Sequence, residues 1–343
     1  MKSDIRFLVR ILCMTYNHET YISDAMTGFV MQKTDFPFVV VIIDDASTDK
    51  TGEVIRQFVT DHFSLNKPMV GRMEEKEYGQ LIFAQHKVNK NCYFAVILLN
   101  ENHFKSNKDK RGYYREWLNT KYVALCEGDD YWTDSSKLQK QVDYMDSNPD
   151  CMLSVHSANW RSGDCVYPWG CQDSCPKDYS VDELIRCGGL FFATASYFYK
   201  SEIAFNWPDW RRKAEVDDFP IQILSGLLGR VHYLPDRMCV YRYLGEGSWT
   251  SKNIGKLSIN YQKNKIEWMT LLDEATDHLY QKEIYNQLFQ PYNILFNYHE
   301  IGFGEYAKAV HKAGQKRYGR LMKDFLRFYL TPVYRFLNSF RKK

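Results

Sequence analysis

Six consecutive apolar residues, Phe38 to Ile43, run directly into the acidic pair Asp44-Asp45. A strand with no polar side chain on either face must be buried on both, which puts it inside a sheet covered by helices. The chain is thereby constrained to an α/β architecture. Phe7 to Met14 is a second β-rich run. Between the two, Glu19 to Gln32 carries Tyr21, Ile22, Ala25, Met26, Phe29 and Val30 close to helical spacing, and Pro37 marks the join. Ser47 or Asp49 suits the cap of a helix over Thr51 to Thr60. Strand, helix, strand, helix predicts parallel pairing through right-handed crossovers, with the functional residues at the strands' carboxyl ends.

Tyr93 to Leu99 and Tyr122 to Cys126 extend the strand series, and the polar, basic stretch Glu101 to Arg115 reads as a loop over the sheet. A helix is expected from about Lys137 to Met145, a strand over Cys151 to His156 and an irregular excursion over Arg161 to Asp178. Next come a helix at Val181 to Cys187, an aromatic strand at Leu190 to Tyr199 and a helix opening acidic at Glu215 to Gly226. Val231 to Tyr233 and Met238 to Tyr243 are short strands, and from about Lys256 the pattern is helical. The domain reading is an α/β domain over 1–250 and a helical region over 251–343.

With hydrophobic residues at 45% and charged ones at 25%, wholesale disorder is excluded. A net charge of +3 leaves no chain-wide electrostatic footprint for nucleic acid. Nine cysteines, an odd number with no C-x-x-C, and no secretory h-region point to reduced thiols in the cytoplasm. No apolar run reaches the length of a membrane span. The segment 315–343 differs in composition: nine Lys or Arg stand against one Asp, interleaved with aromatic and aliphatic residues. Two readings fit it equally: a peripheral contact with an anionic membrane surface, or a C-terminal helix pair packed on the core, broken at Pro332.

Three acidic clusters stand out: Asp44-Asp45, Glu127-x-Asp129-Asp130 and Asp217-Asp218, all expected at strand ends. Paired carboxylates there are costly unless a cation binds, and a divalent magnesium or manganese ion shared with a diphosphate fits oxygen donors. There is no G-x-G-x-x-G after the first strand and no Walker sequence, which disfavours dinucleotide oxidoreductases and P-loop enzymes.

Met14-Thr15-Tyr16-Asn17-His18-Glu19 and Asp44-Asp45-Ala46-Ser47-Thr48-Asp49-Lys50-Thr51 together resemble the opening of a family 2 glycosyltransferase with the GT-A fold. Glu127-Gly128-Asp129-Asp130-Tyr131-Trp132-Thr133-Asp134, followed by Lys137-Leu138-Gln139-Lys140-Gln141, is similar to that family's metal-binding segment in bacterial polysaccharide enzymes. Asp217-Asp218-Phe219-Pro220 and Tyr241-Arg242 match its acceptor-side motif, so the resemblance covers roughly 7–250.

The resemblance implies a nucleotide-sugar fold with a Rossmann-like mixed sheet and a C-terminal helical extension. It also implies a UDP-linked donor and inverting transfer to a hydroxyl of a glycan or lipid-linked acceptor in cell-surface polysaccharide synthesis. Tyr16 would stack on the base, Asn17 would support the turn and Glu19 would lie with them on the donor side. Asp45 would accept from the base, and Asp129 would lie by the ribose or donor sugar. Asp130, with Glu127, would hold a manganese or magnesium ion on the diphosphate, and Asp218 would be the general base.

The chain departs from the family at Leu244, where relatives often carry a histidine. It departs again at Asn100-Glu101-Asn102-His103-Phe104-Lys105, in place of an asparagine-glycine element, and at Glu127, in place of an aspartate. Trp132 reads evenly as a sugar platform or as packing, and Trp249 as part of a closing loop or a surface turn. His18 and His156 read as structural, Cys126 as inert, and Lys105, Lys108, Lys110 and Arg111 as a solvated loop. The rival to an enzyme is a non-catalytic nucleotide-sugar or glycan-binding module on the same fold.

Overall fold

In the computed structural model, residues 5–314 are described apart from 66–69, 107, 109, 170–174, 206 and 244–258. The chain begins with β1 (Val9–Thr15), α1 (Ile22–Val30), β2 (Phe38–Asp44) and α2 (Thr51–His62). Every residue of β2 is buried, as its unbroken apolar run requires. Its residues divide by the period of a strand. Val40 and Ile42 join one core cluster, while Val39, Val41 and Ile43 join another, so apolar layers cover both faces of the sheet.

After α2 come β3 (Phe63–Ser64), β4 (Gly71–Lys76), β5 (Gly79–His86), β6 (Cys92–Leu99), α3 (His103–Ser106) and a 3-10 turn over Arg111–Trp117. The β4–β5 hairpin is absent from the expected elements: its first strand is polar and half exposed, and its second offers only the four-residue apolar run Leu81 to Ala84. Arg10, buried in β1, donates to the carbonyls of Trp117 and Leu118 at 2.9 Å each and ties down the end of the 3-10 turn.

The chain continues with β7 (Tyr122–Leu125), β8 (Tyr131–Trp132), α4 (Lys137–Ser147), β9 (Cys151–Ser162), β10 (Cys165–Pro168), β11 (Lys177–Tyr179) and α5 (Val181–Cys187). Then follow β12 (Phe198–Lys200), α6 (Asp209–Lys213), α7 (Asp218–Leu228) and β13 (Arg230–Arg242). Three helices, Ile259–Ala275, Gln281–Asn297 and Phe303–Lys312, complete the described chain. The expected aromatic strand over Leu190 to Tyr199 shrinks to three residues, because a 3-10 turn occupies Thr194–Ser196. The two short strands expected over 231–243 are one strand, whose register against β9 shifts between Leu234 and Cys239.

The sheet order is β11-β13-β9-β12-β7-β1-β2-β6-β5-β3. β1 pairs in parallel with β2 on one side and β7 on the other. The chain therefore builds outward from β1 through β2 and β6, then returns to β1's opposite flank. Such a reversal leaves a crevice beyond the carboxyl ends of the flanking strands, where ligands of open α/β sheets bind.

The chain divides into two units. The first holds the whole sheet and comprises 5–180, 189–205 and 221–243 of the described residues. The second comprises 181–188, 207–220 and 259–314, so it draws on two stretches upstream of residue 250 as well as the C-terminal helices. Trp268 anchors its interior, stacking near Trp210 and meeting Phe219 edge-on.

Candidate active site

β1 ends at Thr15, and residues 16–19 turn the chain toward α1. Asn17 has a φ of 58°, a left-handed conformation that asparagine tolerates better than most residues. Its Oδ1 accepts the Thr48 N–H at 2.8 Å, and its own N–H donates to Ser47 Oγ at 2.9 Å. Glu19 reciprocates, with Oε2 accepting the Lys50 N–H at 2.8 Å and its N–H donating to Asp49 Oδ2 at 3.1 Å. Asp49 Oδ1 in turn accepts the Thr51 N–H at 2.9 Å at the start of α2. Asn17 and Glu19 thus lock the turn after β1 against the turn after β2. Tyr16 is half-buried and is carried by that locked turn.

β2 delivers both of its acids. Asp44 Oδ1 accepts the N–H of Ser47 at 3.2 Å and the Ser47 hydroxyl, yet burial still lifts its carboxyl above the ordinary range. Asp45 is fully engaged by the segment after β6. Oδ1 accepts the His103 N–H at 2.8 Å, while Oδ2 accepts the Phe104 N–H at 3.0 Å and lies 3.0 Å from Lys110 Nζ. The expected base-reading carboxylate is therefore also the anchor of α3. Lys110, read in the sequence as solvated, is drawn into the site, whereas Lys108 pairs with Glu101 at the surface. The side chain of Lys105 lies outside the described residues.

The second acidic segment, Glu127 to Asp130, reaches the same strand end from the other flank. Gly128 donates its N–H to the Met14 carbonyl at 2.9 Å, as Asp45 donates to the Thr15 carbonyl at 3.0 Å. A Cβ at position 128 would stand 2.5 Å from Thr15 Oγ1 and 2.7 Å from Thr15 Cβ, so this approach requires glycine. Asp129 and Asp130 are buried and Glu127 is exposed. Asp130 Oδ1 accepts the Arg242 N–H at 2.9 Å, and Asp129 Oδ2 lies 3.9 Å from His18 Nε2. Burial, then the charges of Asp129 and Glu127, push the Asp130 carboxyl well above the usual carboxylate range. Burial and the same three acids also drive up the thiol of Cys13.

This donor set is all oxygen and in excess of its nearby positive charge, and it fits a hard divalent cation. No three His, Cys, Asp or Glu side chains among the described residues are grouped as a cage. An ion here would complete its coordination shell with phosphate oxygens and water.

Trp132 is packing rather than a platform. It is 2% exposed, donates its indole N–H to the Ala195 carbonyl at 2.9 Å and meets Phe29 edge-on. His156 is buried against the Ser157 carbonyl, and burial holds its pKa well down, as suits a structural residue. The buried thiol of Cys126 is pushed up, which fits the expected inertness.

Asp217-Asp218 is not at a strand end. It opens α7, where acidic residues complement the helix dipole, and these two residues belong to the second unit. Asp218 Oδ1 accepts the Phe219 N–H at 2.7 Å. Asp217 instead pairs with the buried Arg211 at 2.7 Å. Burial, reinforced by the Asp217 charge, raises the Asp218 carboxyl to about 6.

The sequence motifs contained Arg242 but not its role. Its guanidinium donates to the Asp129 carbonyl and pairs with Asp24 on α1. Asp24 gave no signal, being one polar residue on the outer face of an amphipathic helix. Leu244, Gly245 to Gly247, Trp249 and the segment 315–343 lie outside the described residues.

Residues 11–79 match the family model for glycosyl transferase family 2. The uncharacterized protein Rv1520 of Mycobacterium tuberculosis is 31% identical over 247 residues, covering 70% of this chain and 60% of that protein. The chain thus spans about 60% of the length of the curated relatives it matches. Among solved structures, S. aureus TarS 1-349 in complex with UDP aligns at a TM-score of 0.51 and 15% identity, over 84% of this chain and 72% of that one. The same protein in complex with UDP-GlcNAc aligns at 0.50 and 16%, with the same coverage. At such identities the likeness concerns the fold.

Proposed function

From the match of residues 11–79 to glycosyl transferase family 2 and the likeness in fold to TarS, we propose that the chain is a GT-A glycosyltransferase that moves a sugar from a UDP-linked donor to a hydroxyl of a glycan or lipid-linked acceptor, with inversion. One observation carries the reading. Two acidic segments, from β2 and β7, dock through backbone hydrogen bonds on the carboxyl end of β1, where the strand order reverses. The UDP and UDP-GlcNAc bound by TarS support the choice of nucleotide.

Tyr16 presents an aromatic face for the base from a turn that is already rigid. Asp45 accepts the base N–H by sharing oxygens now held by the amides of His103 and Phe104, so the base and the 102–110 segment are read together. Lys110 brings positive charge to the same carboxylate and, with Asp45 engaged by a base, is free to turn toward the diphosphate. Asp129 faces the ribose or donor sugar. Asp130 and Glu127 would hold the divalent ion, which supplies Lewis-acid stabilisation of the departing diphosphate. Because Asp130 gives Oδ1 to the Arg242 N–H, its other oxygen is the one offered to the ion.

Asp218 takes the proton of the acceptor hydroxyl. A carboxyl near 6 accepts that proton at neutral pH more readily than an ordinary aspartate. No helix among the described residues is long and apolar enough to cross a membrane. The basic aromatic segment 315–343 suits a peripheral contact with an anionic inner leaflet, and its deletion should release the protein from anionic vesicles. Unchanged vesicle binding after that deletion would remove the membrane from the proposal.

The test of the function is UDP release from a panel of UDP-sugars with manganese and candidate glycan acceptors. Turnover that vanishes in Asp218→Asn while UDP binding persists supports an enzyme. UDP-sugar binding without turnover on any acceptor, unchanged by that substitution, would favour the binding-module reading.

A further inference from the structure

We infer that Arg242 is a positioning residue for the ion-binding end of the donor site, an inference that rests on the function proposed above. Arg242 ends β13, is 7% exposed, and its guanidinium lies over the rings of Tyr21 at 4.9 Å and Tyr131 at 4.5 Å. Nη1 donates to the main-chain carbonyl of Asp129 at 2.7 Å. Nη2 pairs with Asp24 Oδ2 on α1, and the residue's own N–H donates to Asp130 Oδ1 at 2.9 Å. A single residue thereby fixes the backbone of one acid and the carboxylate of the next, and ties both to α1.

The pattern of contacts fits this role better than simple charge neutralisation. A guanidinium forked onto the Asp129 carboxylate would compete with a cation for the same oxygens. Here the fork is split, Nη1 going to the Asp129 carbonyl and Nη2 to Asp24, which balances the arginine's charge from outside the acid pair. Arg242 therefore leaves the Asp129 carboxylate untouched, with His18 Nε2 near it at 3.9 Å. Two buried neighbouring carboxylates repel when no cation is present, and a turn left to relax would have to be reordered at each binding event. Holding it by its main chain removes that cost. Lysine cannot substitute, because a single ammonium lacks the planar fork and the aromatic stacking.

The experiment is a manganese titration at saturating UDP, read as thermal stabilisation, in the wild-type protein, Arg242→Lys, Asp24→Asn and the double variant. Supporting groups around metal sites typically change affinity about 10- to 100-fold, and Arg242→Lys should weaken apparent manganese affinity by roughly that much. Asp24 is more than half exposed, so Asp24→Asn should fold normally, and it should weaken the ion in the same direction by about 3-fold or more. The double variant should be no worse than Arg242→Lys, since both changes break one network. A purely structural arginine would lower the melting temperature of the ligand-free protein and leave manganese affinity in the folded fraction unchanged. Wild-type manganese affinity in folded Asp24→Asn and Arg242→Lys would overturn the inference. If Arg242→Lys does not fold, Asp24→Asn decides alone. Failure of the wild-type protein to bind UDP with manganese would overturn the functional reading instead, which is a distinguishable result.

Discussion

The acids of the two units are held in opposite ways. In the first unit Asp45 and Asp130 accept backbone N–H groups from distant segments, and the Asp129 main chain is clamped by Arg242. In the second unit Asp218 takes a hydrogen bond from its own neighbour, Phe219, while the nearby Arg211 is engaged by Asp217. Acids pinned by long-range backbone contacts keep a fixed geometry, which suits holding a ligand or an ion. An acid with few donors and a cation diverted from it keeps its proton to a higher pH, which suits moving that proton. Burial raises the Asp130 carboxyl as well, so what separates the binding from the proton-transfer half of the proposed reaction is how each acid is held, not the direction of its pKa.

Asp218→Asn tests that separation most severely. Turnover should fall by about 10²- to 10⁴-fold, the usual range for a positioned base, with UDP affinity within a factor of two or so of wild type. A comparable loss of UDP affinity would erase the contrast between the two units. Gly128→Ala probes the other side. Its methyl group collides with Thr15, so the acidic turn must move, and UDP affinity with manganese should drop by roughly 10-fold or more, at a stability cost of about 1–3 kcal/mol. Calorimetry and a urea titration would read the two effects.

The pH dependence sharpens the comparison. Activity (as kcat/KM) should rise through about pH 6 as Asp218 loses its proton. Stability has the opposite slope. The folded state binds more protons than the unfolded chain between about pH 4 and 6, so raising pH through that window weakens the fold. Above it, Asp218→Asn should be more stable than wild type by on the order of 2 kcal/mol, and at pH 4 nearly equal to it. Urea denaturation at both ends of the window measures this, and an equal gap at both would contradict the raised pKa. The smallest effect belongs to Asn17→Ala, which unlocks one turn from another and should cost about 1 kcal/mol with only a modest rise in the donor KM.

What the sequence disclosed follows from the range of each interaction. The apolar run of β2 and the helical spacing of α1 are local patterns, and the parallel pairing of β1 with β2 followed from them. Asp129, Asp130 and Asp45 were visible as acids after strands. Their partners were not, because Arg242 and Asp130 are 112 residues apart and Asp24 and Arg242 are 218 apart. Asp218 was found by motif but misassigned to a strand end, since an acidic pair opens a helix as readily as it closes a strand. In the β4–β5 hairpin, β4 was missed because a polar edge strand carries little apolar periodicity, and β5 because its apolar run, Leu81 to Ala84, is only four residues long.

The central claim is that the acids around the end of β1 bind a nucleoside diphosphate together with a divalent ion. Calorimetric titration of UDP into the purified protein, with manganese and again with a chelator, tests it most directly. The account predicts one-to-one binding with manganese, weakened at least 10-fold by chelation and by Asp130→Asn. UDP binding unaffected by both, or no binding of UDP in either condition, would contradict it.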